Sequence, residues 1–132
     1  MSAPAALVTG GSAGIGLAIA AMLLDRGWSV TLVGRDRNKL LSAAAQLGTD
    51  GVHVVAANLA TDVAKDVVAE HVRRHARLDL LVNNAGAGLI GPIQQKTSKE
   101  LDLELTLNLR SAVRLIQEAL PQIGRASCRE RV

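Results

Sequence analysis

Apolar residues along this chain alternate between short continuous runs and stretches in which they recur at helical spacing. Four runs rich in Val, Leu and Ala have the length of strands, and each leads into a turn and then a helical stretch. This alternation predicts βαβ units, and nearly continuous apolar strands are typical of a parallel sheet covered on both faces. The predicted strands are Ala5–Thr9, Ser29–Val33, Val52–Ala56 and Leu78–Asn83.

The stretches between and after these strands place apolar residues on one helical face. Gly48 is expected to end the second helix as a left-handed cap, and Thr97 or Ser98 to begin a longer fourth helix that runs towards Pro121. The expected apolar positions of the first three helices are Ile15, Ile19, Met22 and Leu23; Leu40, Leu41, Ala44 and Leu47; and Val63, Val67, Val68 and Val72. The fourth helix is expected to run through Leu101, Leu105, Asn108, Ala112, Leu115 and Ile116.

Right-handed crossovers between these units predict one α/β domain with a Rossmann-like, doubly wound parallel sheet that is truncated after about four strands. The expected strand order is 3-2-1-4, which leaves the fourth strand as an exposed edge. Ligands of such sheets bind at the carboxyl ends of the strands where the winding reverses, here between strands one and four. Both informative motifs of the sequence fall at this place.

The first motif is the glycine-rich segment Thr9–Gly16, TGGSAGIG, directly after strand one and opening the first helix. Gly10 would allow a tight turn, Gly14 would let a pyrophosphate approach the backbone, and Gly16 would bring helix and strand together. The helix N-terminus behind this loop favours phosphate. Glycines also serve ordinary turns, but their position between strand and helix favours dinucleotide binding. No Lys follows the last glycine, which excludes a phosphate-binding loop of the nucleotide-hydrolase type.

The end of strand two decides between NAD and NADP in folds of this kind, because an acid there binds the ribose hydroxyls whereas Arg accommodates a 2′-phosphate. The chain has Gly34 and Arg35 at this position. A guanidinium can pair with the phosphate in a two-pronged geometry, so NADP is favoured over NAD. Ala13 offers no second cation in the glycine loop. The alternative is that Arg35, with Arg37, is only a solvated charge at the entry of the helix.

The second motif is NNAG, Asn83–Gly86, after the apolar run LDLLV. Together, TGGSAGIG and LDLLVNNAG resemble the short-chain dehydrogenase/reductase family over essentially Ala5 to Gln122. Alone, an Asn pair before Gly would usually be a turn.

The resemblance implies that the NNAG segment steadies the central sheet and lies beside the cofactor ribose. It implies that Asn58 and Leu59, after strand three, contact the adenine ring. The family usually has Asp at the position of Asn58. Asn108 matches the family's catalytic-helix Asn, which helps to hold a water in a proton relay. The cofactor-binding residues implied are Gly10, Ser12, Gly14, Ile15, Gly16, Arg35, Asn58, Leu59, Asn84, Ala85 and Gly86.

The chemistry implied by the resemblance is hydride transfer between nicotinamide and a small carbonyl or alcohol substrate, with Tyr as general acid/base, Lys lowering its pKa and Ser holding the substrate oxygen. The chain contains no Tyr and no YxxxK. We therefore expect an NADP-dependent oxidoreductase whose catalytic part is missing, so that this polypeptide is inactive. The alternative is a non-catalytic dinucleotide-binding or regulatory module. The family also implies that the full-length parent is a homo-oligomer.

The segment Ile123–Val132, IGRASCRERV, breaks from the apolar periodicity before it. It matches a translation of ATC GGA AGA GCG TCG TGT AGG GAA AGA GTG, which resembles a widely used sequencing adapter whose next codon is a stop. We expect residues 1–122 to be the incomplete NAD(P)-binding domain and residues 123–132 to be an artefactual tail. Ser127 lies in this tail and is therefore not counted as the catalytic Ser. The alternative is a natural basic tail.

Composition adds exclusions. The net charge of +3 includes +2 from Arg125, Arg129 and Arg131 against Glu130, so the rest of the chain is nearly neutral and nucleic-acid binding is not expected. No run approaches the roughly 18 apolar residues of a membrane span, and no signal peptide precedes the domain, so a cytoplasmic protein without a membrane partner is expected. The single cysteine and the absence of Cys/His spacing imply no disulfide and no metal site.

Overall fold

The computed structural model describes residues 2–48 and 50–130. Strands and helices alternate as predicted as far as the fourth strand, and the remaining described chain is largely helical. The elements are β1 (Ala5–Thr9), α1 (Gly14–Asp25), β2 (Ser29–Gly34), α2 (Arg37–Leu47), β3 (Val52–Ala56), α3 (Ala64–His75), β4 (Leu80–Val82), a 3-10 turn (Ile93–Gln95), α4 (Ser98–Leu105), a π-helical turn (Thr106–Arg110) and α5 (Ser111–Glu130).

The four strands are parallel and lie in the order β3-β2-β1-β4, which confirms the predicted topology. Leu7 in β1 pairs with Thr31 in β2 on one side and with Leu81 in β4 on the other. In the described part of the chain β4 pairs only with β1, so it forms the expected edge. It is shorter than predicted because regular pairing stops at Val82, where Thr9 ends β1 and the chain turns into the NNAG segment.

Two apolar clusters cover the two faces of the sheet, since successive strand side chains point to opposite sides. Leu7 and Val33 face α3 and α5, where they meet Val67 and Leu115. The opposite cluster packs β1 and β2 against α1 and α2, and all five residues of β1 are buried. The core therefore holds rigidly the strands whose carboxyl ends carry both sequence motifs.

The predicted face of α1 is wrong in part. Ile15 and Met22 are exposed, and the residues that α1 buries are Gly16, Ala20 and Leu23. Small side chains let the helix axis approach the sheet closely, which turns the bulky Ile15 and Met22 away from the contact. The spacing of large apolar residues alone could not indicate this rotation.

The second helix shows the same kind of difference. Leu40 is buried as predicted, but Leu41 is exposed and Ala43 takes the buried position. Gly48 ends α2 with a φ of 95° and a ψ of 153°. Its φ is positive, as expected of a terminating glycine, but its ψ lies outside the left-handed helical region, so the predicted cap geometry is wrong.

The long helical region begins at Thr97, as predicted. Its side chain accepts a hydrogen bond from the Glu100 amide at 3.1 Å, and the Glu100 carboxylate reaches back to the Thr97 amide, which forms a capping box. Among the apolar positions predicted along it, Leu115 is buried. Leu101, Leu105 and Ile116 are exposed because no described element covers that side of the helix.

The helix that was predicted to run towards Pro121 continues past it, and α5 ends at Glu130. Ile123, the first residue of the predicted tail, packs against the apolar cluster formed with α3. Residues 131 and 132 of that tail lie outside the described residues. None of the helices in the described ranges is long and apolar enough to cross a lipid bilayer.

Candidate functional site

A cleft of about 900 Å³ opens at the carboxyl ends of β1, β2 and β4, where the doubly wound sheet reverses direction. Both sequence motifs contribute to it, although 66 residues separate them in the sequence. The predicted binding residues that line it are Gly10, Ser12, Arg35, Leu59, Asn84, Ala85 and Gly86. Gly14, Ile15, Gly16 and Asn58 are not among its lining residues, so their predicted cofactor contacts remain predictions.

The turn after β1 is formed by Gly10, whose φ of 64° is a conformation that favours glycine. Its amide donates to the Val33 carbonyl at 2.9 Å, which fixes the turn to the end of β2. Gly16 lies one turn further on, and a Cβ there would collide with the Gly10 carbonyl oxygen and the Asn84 side chain. The glycine spacing therefore allows α1 to begin directly against the strand, as the sequence predicted.

The N-terminus of α1 has no side-chain cap: Ala13 occupies the capping position and makes no such hydrogen bond. The carbonyl of Ala13 accepts from the Leu17 amide at 3.3 Å, so the amides of Gly14–Gly16 belong to the first, unpaired turn of the helix. In contrast, Asp36 caps α2 through its side chain. Unpaired amides and the helix dipole at a cleft favour an anionic group such as a phosphate.

Asn84 connects the second motif to the first. Its side-chain amide donates to the Gly10 carbonyl at 3.1 Å. The hydroxyl of Thr9 accepts from the backbone amides of Asn84 at 3.0 Å and Ala85 at 2.9 Å. These bonds hold the backbone of the NNAG segment against the end of β1, which is the steadying position that the resemblance implied.

Three cationic side chains lie along the β2 side of the cleft, Arg35, Arg37 and Lys39. Asp36 also lines the cleft, but its carboxylate accepts from the amides of Asn38 at 2.9 Å and Lys39 at 3.2 Å. The carboxylate is thus bound to the N-terminus of α2 while the three cations keep this rim positive. Such a rim suits a phosphate group.

Asn58 and Leu59 follow β3, as the resemblance required, but they occupy different environments. Leu59 is buried and lies between the cleft and the core. Asn58 is exposed, and its side-chain oxygen accepts from the Ala60 amide at 3.0 Å, which shapes the turn.

Asn108 lies in the π-helical turn between α4 and α5, a kind of irregularity that is frequent at functional sites. Its side-chain oxygen accepts from the Ala87 amide at 3.0 Å, and its side-chain nitrogen donates to the Ala87 carbonyl at 2.6 Å and the Glu104 carbonyl at 2.8 Å. The side chain therefore holds the backbone just after NNAG beside the helix, rather than standing free in the cleft.

Glu104, one turn before Asn108, fixes the loop that follows. Its carboxylate accepts from the Leu89 amide at 2.7 Å and from Lys96 at 2.6 Å. The Lys96 ammonium, together with the Leu89 amide, lowers the pKa of the Glu104 carboxyl. This ion pair keeps the 3-10 turn close to α4, at the side of the cleft where Leu107 and Ala87 lie.

Several residues that line the cleft were not among the predicted binding residues. Arg37 was considered only as a solvated charge, and Lys39, Ala57, Ala87 and Leu107 carried no motif. Helical residues two apart do not share a face, so the prediction of a helix after Arg37 did not indicate that Lys39 lines the cleft. Groups of three or more His, Cys, Asp or Glu side chains that could hold a metal ion are not found among the described residues.

The family model for short chain dehydrogenases matches residues 4–129 of the chain. The chain belongs to the short-chain dehydrogenase family. An uncharacterized oxidoreductase of Staphylococcus epidermidis is 32% identical over 122 residues, which cover 92% of this chain and 53% of that protein.

Solved structures agree with this assignment. A metagenomic short-chain oxidoreductase in complex with NADP superposes with a TM-score of 0.88 at 32% identity, over 96% of this chain and 59% of that one. L-sorbose reductase from Gluconobacter frateurii, complexed with NADPH and L-sorbose, gives 0.83 at 36% identity, over 92% and 48%. The short-chain dehydrogenase chain therefore spans about half the length of the relatives that it matches.

Proposed function

We propose that this chain is the cofactor-binding half of an NADP-dependent oxidoreductase. The observation that carries the proposal is the uncapped N-terminus of α1, which follows directly after Gly10 and Ser12 in a turn that lines the same cleft as Arg35. A dinucleotide needs both features, since one site must hold the pyrophosphate and another the adenosine ribose.

The residues present fit such a cofactor. The backbone amides of Gly14–Gly16, in the first turn of α1, would hold the pyrophosphate, because no side-chain cap occupies this helix N-terminus. Asn84, Ala85 and Gly86 line the cleft on the β4 side and would lie along the nicotinamide ribose. Asn58 and Leu59 would border the adenine. When bound, the cofactor would supply or accept a hydride on a small carbonyl or alcohol substrate.

Preference for NADP over NAD rests on the cationic rim. Arg35 would pair with the 2′-phosphate, and Lys39 supplies the second cation that the glycine loop lacks at Ala13. Asp36, the only acid lining the cleft in the described ranges, has its carboxylate engaged by amides of α2, so the phosphate meets less repulsion than the sequence alone indicates.

Titration calorimetry with NADP and NAD tests this preference. We expect NADP to bind at least about tenfold tighter than NAD, which corresponds to about 1.4 kcal/mol. Arg35→Ala should weaken NADP and leave NAD nearly unchanged, whereas Arg26→Ala, at the far end of α1, should affect neither. Equal affinities for both cofactors would contradict the NADP assignment, and loss of both in Arg35→Ala would assign Arg35 a structural role.

Asn108 would serve as a positioning residue for the reaction. It holds the Ala87 backbone, and its carbonyl oxygen has a second lone pair with which it could bind a water of a proton relay. The catalytic Tyr, Lys and Ser of the family have no counterparts before Gln122, and the chain contains no Tyr. We therefore propose that this polypeptide binds cofactor but does not turn over. Oxidation of NADPH above background with a panel of small carbonyls would contradict this.

The alternative function is a dinucleotide-binding regulatory module without catalysis. We propose instead that residues 123–132 derive from a sequencing adapter joined to a longer gene. Amplification of the locus from source DNA decides between the two. Code that continues beyond Gln122 and contains Ser and YxxxK supports the truncated enzyme, whereas this tail in frame with a natural stop supports the module.

A further inference from the structure

All three histidines of the chain lie together where the C-terminal half of α3 packs on the sheet, and none of them lines the cleft. His71 and His75 belong to α3, and His53 to β3. The ring centroids of His71 and His75 are 4.9 Å apart, and those of His53 and His75 are 6.3 Å apart. His71 is fully buried.

The buried hydroxyl of Thr31 in β2 joins two of these rings. It lies 2.8 Å from Nδ1 of His71 and 3.1 Å from Nε2 of His75. The other ring nitrogen of His71, Nε2, lies 3.0 Å from the backbone carbonyl oxygen of Arg77. Hydrogen bonds between side chains therefore connect the C-terminal half of α3 to β2.

The partners determine where the hydrogens are. A carbonyl oxygen only accepts, so Nε2 of His71 must donate to Arg77. In the neutral ring Nδ1 then has no hydrogen and must accept from the Thr31 hydroxyl. Because that hydroxyl has a single hydrogen, His75 Nε2 must be the donor to Thr31. The neutral network has one direction, His75 to Thr31 to His71.

We propose that the His75–Thr31–His71 chain is an acid-sensitive connection that holds the C-terminal end of α3 on the sheet and releases it when both rings are protonated. With both rings charged, Nδ1 of His71 and Nε2 of His75 would both donate to Thr31. The hydroxyl hydrogen of Thr31, a fully buried residue, would then have lost its acceptor.

The titratable groups around the His75–Thr31–His71 chain come from several elements. β1 and β2 offer no titratable side chain to the network. The other neighbours are His53 on β3, Glu70, Arg73 and Arg74 on α3, and Arg77 and Asp79 before β4. Glu70 binds His53 and Arg73, and Asp79 binds Arg77. The Asp79 charge favours the protonated form of His71, but burial and His75 oppose it more strongly.

Burial lowers the pKa of His71 to about 4, and burial together with Arg74 lowers that of His75 to about 4, both from 6.5. The unfolded chain thus binds more protons than the folded one between these values, so stability falls as the pH decreases from about 6.5 towards 4. Release of the C-terminal half of α3 would uncover Val72, which packs against the core cluster that contains Leu115.

The direction of the network is tested first, by the ¹⁵N shifts of the imidazole nitrogens at pH 7.5. We expect both His71 and His75 as neutral rings with the hydrogen on Nε2. A His71 ring with its hydrogen on Nδ1, or charged at pH 6, would overturn the proposal. This measurement uses the unaltered chain and does not depend on the proposed cofactor.

The second test compares the unfolding equilibrium constant at pH 7.5 and pH 5. One group with a pKa of 6.5 unfolded and about 4 folded raises this constant about 25-fold over the interval. We expect His71→Gln to reduce that ratio at least about fivefold. His53→Gln, which removes a ring outside the Thr31 network, should reduce it less than about twofold. An unchanged ratio in His71→Gln would refute the proposal.

Discussion

The side-chain amide of Asn84 donates a hydrogen bond to the carbonyl oxygen of Gly10 at 3.1 Å, across 74 positions of sequence. This bond joins the glycine-rich turn after β1 to the segment after β4, which form two walls of the cleft. A donor is required at this place, because a carbonyl oxygen faces it. The geometry therefore explains why an amide, rather than a carboxylate, suits position 84.

Asn84→Asp is expected to separate the two walls. The carboxylate has the shape of the amide but cannot donate when ionised, and it would face the Gly10 carbonyl without a partner. We expect a loss of about 1–3 kcal/mol in the free energy of unfolding, measured in urea, and weaker cofactor binding. Asn83→Asp is the matched control, since the Asn83 side chain is exposed and donates to the Ala112 carbonyl at 3.3 Å. Equal effects of both changes would contradict this role of Asn84.

Gly16→Ala tests the close approach of α1 to the sheet. The added methyl group would meet the Gly10 carbonyl oxygen and the Asn84 amide, and backbone atoms cannot easily move away. We expect a destabilisation of about 1–3 kcal/mol despite the better helix propensity of Ala. Gly91→Ala, where a Cβ would meet nothing within 4 Å, should be nearly neutral. Thermal unfolding followed by circular dichroism measures both.

The strands, their order and the place of the cleft could be predicted from the sequence, because apolar runs and turn glycines are local signals. The rotation of helices about their axes could not. Ile15 and Met22 looked like core residues, but Gly16 and Ala20 are the ones that contact the sheet. The residues of the cleft divide in the same way. Arg35 could be predicted because its position is defined by its distance from the glycines. Lys39 could not, because its place in the cleft depends on where α2 begins.

The role of Asn108 shows why chemistry is harder to predict than placement. Its type and position matched a family motif, but its bonds to both backbone atoms of Ala87 depend on where the π-helical turn directs the side chain.

Asn108→Ala is therefore expected to loosen the backbone after NNAG. Both hydrogen bonds to Ala87 would be lost, and amide hydrogen exchange at Ala87 should accelerate at least about tenfold. Asn108→Asp retains the acceptor for the Ala87 amide but loses the donor, so its exchange should lie between those of Asn108→Ala and the unaltered chain. Exchange at Val8, in the centre of β1, serves as the internal reference. Unchanged exchange at Ala87 in Asn108→Ala would show that other contacts hold this segment.

The last prediction compares two ion pairs, the mostly buried pair of Arg77 and Asp79 and the more exposed pair of Arg73 and Glu70. Arg77 and Asp79 are about one-tenth exposed and approach to 2.6 Å, and the Asp79 carboxylate also accepts from the Ala5 amide at 2.9 Å. Burial alone would raise the pKa of Asp79, but the hydrogen bonds from Arg77 and Ala5 outweigh it and lower the pKa. The pKa of Asp79 is lower in the folded chain than in the unfolded chain. The pair therefore stabilises the fold fully at pH values above the ordinary pKa of Asp, and this contribution is lost as the pH falls from there through the folded-state pKa.

Asp79→Asn would remove the carboxylate charge that pairs with the mostly buried Arg77 guanidinium and would weaken the anchor of β1. We expect the free energy of unfolding at pH 7 to fall by about 2–4 kcal/mol. Glu70→Gln removes the partner of the exposed Arg73, and exposed pairs contribute little, so this control should cost much less. The difference between the two variants should shrink in acid, where Asp79 is protonated in the unaltered chain as well. If Glu70→Gln proved the more damaging change at pH 7, the attachment of β1 through Asp79 would have to be abandoned as a source of stability.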